Sequence, residues 1–202
     1  MSKPFVDARC RSQRGVAAVE FSVVALVFFM VAFGIVELAR IIYMYNTLAD
    51  VTRSAARSAA NIDWRNTTQL DQARWHAMLR DSAGGLAFGA PITDDYIRID
   101  YLYLAKDASG AITMAPVSAM PECPARNRHN CQTSPYTSAA TSAGTCVRLV
   151  RARICDPDST GCGPVNYRML LPLINLEVPL PTSTTLVTAE TLGYQPGNAD
   201  CL

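Results

Sequence analysis

The sequence predicts an α+β fold: a long N-terminal helix, then a small antiparallel sheet with one short helix, stapled by disulfides. Three observations predict it. Residues 16–60 contain no proline and open with an apolar run. Tyr96–Leu104 (YIRIDYLYL) and Cys146–Cys155 (CVRLVRARIC) alternate as half-buried strands do. Six of the seven cysteines lie beyond the helix.

The helix comes first. Lys3, Arg9, Arg11 and Arg14 precede it, opposed by Asp7, and no charge occurs from Phe21 to Val36. A membrane helix needs about 20 apolar residues. Val16–Val19 and Leu38–Tyr45 extend the run to that length, so the span includes Glu20 and Glu37. A charge at mid-bilayer costs about 2.5–3.5 kcal/mol, and less toward the ends, where both glutamates lie. Glu37 can pair with Arg40 one turn on. Glu20 has no cation at either spacing. A basic flank stays in the cytoplasm, which directs the chain beyond the span to the periplasm or further. A second stripe continues the helix: Leu48, Val51 and Ala55 face one way, Asp50, Arg53 and Arg57 another.

Arg14-Gly15-Val16-Ala17-Ala18-Val19-Glu20-Phe21 joins a basic flank, a glycine and a glutamate five positions later to the apolar run. This resembles a prepilin-type leader, which is cut on the cytoplasmic side. Cleavage after Gly15 would give Val16 a positive α-amino group, and Glu20 would neutralise such an amine, its own or a neighbour's. Alternatively, Glu20 snorkels to the interface. An ordinary secretory signal would have a shorter apolar core and no acid at its entrance.

Residues 14–60 are similar to the N-terminal segment of TadE-like proteins, minor pilins or pseudopilins of Tad/Flp-type (type IVb/c) pilus systems. The matching pieces are RGVAAVEF, FGIVELAR, Tyr45-Asn46 and TRSAARSAA. Members often carry a mid-span proline where this chain has Leu26. VRLVRARICDP, LLPLINLEVPL and TTLVTAETL echo the family's strand-rich end. The resemblance implies Gly15 and Val16 as a processing site and Glu20 and Phe21 as assembly positions. It implies a prepilin peptidase, other minor pilins, the major Flp pilin and the inner-membrane assembly platform as partners. It also implies a single pass through the inner membrane, a periplasmic C-terminal domain, possible entry into the extracellular fibre, and a role in adhesion, biofilm formation or secretion. A membrane-tethered periplasmic binding module, with its ligand site in Pro121–Gly144, is the alternative.

The chain therefore divides into a leader (1–15), a transmembrane and assembly helix (16–60) and an exported domain (61–202). After a break at Asn61–Thr68, a second helix is predicted over Thr68–Ser82, with Leu70, Ala73, Ala77 and Met78 on its apolar face and Gly84-Gly85 as its stop. Strand Tyr96–Leu104 turns at Lys106–Gly110 into a partner at Ala111–Val117. Pro121–Gly144 reads as a long loop, Pro157–Pro164 as a turn, and Leu170–Leu180 as loop or edge because of Pro172, Pro179 and Pro181. Thr184–Leu192 is the last strand.

Cys10 falls in the leader, leaving Cys123, Cys131, Cys146, Cys155, Cys162 and Cys201 as an even set in an exported region, which reads as a disulfide framework. Six cysteines allow fifteen connectivities. Short loops favour Cys123 with Cys131 and Cys155 with Cys162, leaving Cys146 for Cys201. A metal site of Cys123, His129 and Cys131 competes. A net charge of +1 and the lack of a basic stripe after Arg57 give no case for nucleic acid. No hydrolase, zinc-protease or P-loop motif occurs. His76 reads as a surface or packing residue, Gly161-Cys162-Gly163 as a turn, and Asp94-Asp95 as an acidic turn rather than a cation site. The reading is a non-enzyme without cofactor, its one non-protein partner the lipid bilayer.

Overall fold

The computed structural model describes residues 14–134, 136, 145–170 and 178–197. The leader up to residue 13, Cys10 and Cys201 lie outside them. Helix α1 runs over Arg14–Ala59. The chain divides into two compact units at Arg40/Ile41.

In the first unit α1 is apolar on every side. Phe21 (75 % exposed), Val24, Leu26, Phe28, Met30 and Ile35 all present their side chains outward. A helix apolar all round must be covered by something apolar, and this one has the length and composition to cross a membrane.

In the second unit α1 is one-sided. Met44, Leu48, Val51, Thr52, Ala55, Ala56 and Ala59 are buried at steps of three and four, whereas Asp50, Arg53 and Arg57 are exposed. Alanine and threonine on this stripe let the helix approach the sheet closely. Thr52 Oγ1 lies 2.9 Å from Thr185 Oγ1, so its buried hydroxyl is satisfied.

Helix α2 (Thr67–Ala77) is capped by the Asn66 side chain, which accepts from the Gln69 N–H. It ends earlier than the glycines suggest. Leu79 adopts φ 58°, its N–H donates to His76 and that of Arg80 to Trp75. These are the two bonds of a left-handed helix stop with leucine where glycine is usual.

Strands β1 (Ile97–Lys106) and β2 (Ile112–Pro116) form the expected hairpin. Helix α3 (Pro124–Thr133) follows, and β3 (Val147–Ile154) pairs antiparallel with β1 across a bulge at Leu102/Tyr103. Strands β4 (Asn166–Tyr167) and β5 (Val178–Pro179) make a separate two-stranded ladder. Strand β6 (Thr184–Thr188) pairs with β3, giving the order β2-β1-β3-β6. One sheet face supplies Ile97, Val150, Ala152 and Ile154 to the cores that the α1 stripe completes.

The predicted loop at Pro121–Gly144 is corrected over 124–133, where α3 lies. Pro124 fits the first helical turn because its missing N–H has no partner there, and the Cys123 sulfur accepts from the Arg126 N–H. The polar residues that suggested a loop tie the helix down. Asn127 Nδ2 donates to the Val147 carbonyl and its Oδ1 accepts from the Val147 N–H, while Asn130 donates to the Thr145 carbonyl.

This helix also corrects a disulfide expectation. Cys123 caps α3 and Cys131 sits eight residues along it, about 12 Å away at 1.5 Å per residue, too far for a bond. Cys131 pairs instead with Cys146, and Cys155 with Cys162, both at a Cα separation of 4.7 Å. Cys146 is therefore not the partner of Cys201. Cys123 is itself in a disulfide.

Candidate assembly surface

Gly15 is the second residue of α1, and nothing lies within 4 Å of a Cβ built on it. Val16 and Glu20 are one turn apart on the helix, so their side chains are neighbours, and both are exposed. Phe21 adjoins Glu20 on the outer surface. Ser22 Oγ donates to the Val19 carbonyl, which hides a hydroxyl within the apolar run. Phe28, Phe29 and Phe33 form a ring ladder, with centroids 5.4 and 5.9 Å apart. At the far end of the run Glu37 and Arg40 approach to 3.9 Å. Gly15, Val16, Glu20 and Phe21 thus lie together in the first two turns of α1.

The described cysteines, Cys123, Cys131, Cys146, Cys155 and Cys162, belong to the second unit, and all are in disulfides. The competing metal site fails because Cys123 and Cys131 are in disulfides. Among the described residues no group of three or more His, Cys, Asp or Glu is placed to hold a metal ion. His76 is exposed, 3.9 Å from Asp81. Gly161 lies in the loop that Cys155–Cys162 closes, and Gly163 directly follows it. Asp94 accepts from Trp75 Nε1 and from the Gly84 N–H, both at 2.9 Å, and so joins α2 to the loop before β1. Burial pushes its carboxyl up, but those hydrogen bonds prevail and hold it below the usual carboxylate range.

Sequence reasoning missed a charge cluster on the sheet face turned away from α1. Asp100 on β1 accepts from Arg98 at 3.1 Å, from Arg151 at 3.1 Å and from Arg153 at 2.6 Å. Arg98 also donates to the Gly161 carbonyl. Burial raises the Asp100 pKa, yet the hydrogen bonds and charges of Arg153 and Arg151 outweigh it and leave the carboxyl depressed. The signal was present: Arg98 and Asp100, like Arg151 and Arg153, fill the polar phase of alternating strands. A groove of about 370 Å³ opens beside the cluster, lined by Asp71, Arg74, Asp94, Arg98 and Asp156 among others. On the other sheet face, burial pushes the Tyr101 hydroxyl up to about 12. These groups tie strands and loops together, and none forms a nucleophile–base pair in the structure described here.

Residues 15–57 match the family model described as TadE-like protein. The recognition drawn from RGVAAVEF and the residues after it is therefore supported by an independent match. The chain thus carries a segment similar to the TadE-like family. No curated protein and no solved structure matches the chain.

Proposed function

We propose that this chain is a minor pilin or pseudopilin that primes, caps or regulates the assembly of Tad/Flp-type pili. The observation that carries the reading is the TadE-like match lying on one α-helix that is apolar on all sides after an entrance glutamate. A prepilin peptidase would cut after Gly15. The new Val16 amine would stand one turn from Glu20, close enough to be neutralised by it or to share it with a neighbouring subunit. The span would sit in the inner membrane with the second unit in the periplasm, an oxidising compartment that suits the disulfides. The assembly platform, the major pilin and other minor pilins would be met through the apolar helix.

The test is deletion of the gene, with piliation scored by electron microscopy and sheared fibres probed by immunogold. Loss of pili on deletion and recovery on complementation are expected. Normal pili in the deletion strain would overturn the reading and favour a tethered binding module. In that alternative the Pro121–Gly144 segment would recognise a ligand, although its described part is largely helix α3, which Cys131–Cys146 ties to the residue before β3.

A further inference from the structure

The second unit exposes a large apolar side chain in a short loop. Phe88 is 81 % exposed and holds φ 54°. A left-handed backbone is unfavourable for a bulky residue and is tolerated where the surroundings impose it. The surroundings do so here. Leu86 and Ile92, on either side, are buried in the core that contains Met44 of α1. The short loop between them is closed by Leu86 N–H to Ile92 carbonyl, Ile92 N–H to Gly89 carbonyl and Gly89 N–H to Leu86 carbonyl, each at 2.9 Å. Gly89 has no room for a side chain, since a Cβ would meet Leu86 at 2.5 Å. Phe88 is therefore held outward.

The loop's neighbour on α1 identifies what it faces. Tyr43 Oη donates to the Ala87 carbonyl at 3.2 Å. Ile42, Tyr43 and Tyr45 expose 54 %, 41 % and 41 % of their surface. No charge occurs in Ile41–Ala49 or in Ser82–Thr93. Arg40, the last charge at the end of the apolar span, precedes Tyr43 by three residues, less than one helical turn. Aromatic side chains with polar tips collect at the level of lipid headgroups. The surface is thus continuous in sequence with a span and has the composition of an interfacial belt.

We propose that the Ala87–Ala90 loop rests in the headgroup layer of the bilayer, with Phe88 inserted and Ile42, Tyr43 and Tyr45 beside it. The occupant of this surface is lipid, which repays both the strained backbone and the exposed ring. The proposal requires the span to be in a membrane and is independent of any role in piliation, so the two readings fail separately.

The full chain is reconstituted into phosphatidylethanolamine/phosphatidylglycerol vesicles whose acyl chains are brominated near the headgroup. Phe88→Trp should add emission to that of Trp64 and Trp75, blue-shifted relative to exposed tryptophan, and most of it should be lost to bromine quenching. Added emission that is red-shifted and unquenched would overturn the proposal. In case the variant misfolds, the unsubstituted chain is photolysed with a phospholipid carrying a headgroup-proximal diazirine. Lipid adducts on the tryptic peptide Asp81–Arg98 support the proposal. Their absence there, with adducts present on peptides of the span, would refute it.

Discussion

Glu20 and Asp100 are both carboxylates, and they face opposite problems. Glu20 stands on an exposed apolar helix, where an intramembrane charge marks function more often than stability. Glu20→Ala should leave membrane insertion intact or improved and still impair piliation; wild-type piliation would favour the snorkelling account. Gly15 gives the companion prediction. The mature protein should begin at Val16 by intact mass, and Gly15→Phe should accumulate uncut precursor. Asp100 is instead over-supplied with cations, three arginines to one carboxylate. Asp100→Asn leaves those arginines facing one another. It should cost about 2 kcal/mol, below the 3–5 of a fully buried pair because Arg98 is half exposed. The sign with pH follows from the depressed native pKa. The stabilisation is complete above the unfolded value near 4 and is lost as pH falls through the lower native value. Thermal melts between pH 7 and pH 2 should show the unsubstituted protein losing this increment below about pH 4, with the Asn variant flatter in that range.

Among the elements, α3 and its disulfide set the strongest constraint. Cys131–Cys146 closes a loop of about 15 residues, for which chain entropy gives roughly 3 kcal/mol. The Cys131→Ser/Cys146→Ser pair should therefore lower the urea midpoint more than Cys155→Ser/Cys162→Ser, whose sequence separation is 7. Non-reducing peptide mapping would establish both bonds. Legibility also divides at this scale. The strands and α1 were readable because their apolar periods are regular: Ile97, Ile99, Val150, Ala152 and Ile154 alternate, and Leu48, Val51 and Ala55 repeat at helical spacing. Helix α3 was not readable. Its buried positions include Asn127 and Asn130, whose function is to satisfy a strand's backbone across 15–20 residues of sequence. The connectivity was hidden with it, because helical rise is what separates Cys123 from Cys131. The stop of α2 was missed since Leu79 takes a conformation normally signalled by glycine.

At the scale of the molecule, the TadE-like segment is more than a membrane tail. Its second half, Met44–Ala59, fills both cores of the outer unit. A fragment starting at residue 61 would lack Met44, Leu48, Val51, Ala55, Ala56 and Ala59. Burial of a single Leu-sized side chain is worth about 2–5 kcal/mol, so such a fragment should not fold. A fragment of 41–202 keeps the stripe and should give a cooperative melt with no free thiol at Cys131, Cys146, Cys155 or Cys162. Circular dichroism and thiol labelling of the two fragments distinguish these outcomes. A cooperative melt from 61–202 would show that the sheet is self-sufficient.

The Met44–Ala59 stripe has a mechanical consequence. It is helical from end to end, within α1. Tension applied at its Met44 end enters the sheet through interlocked side chains, with no slack segment to extend first. Such a pull would load Leu48, Val51 and Ala55 before any loop, and the second unit would resist as a body or lose its core at once.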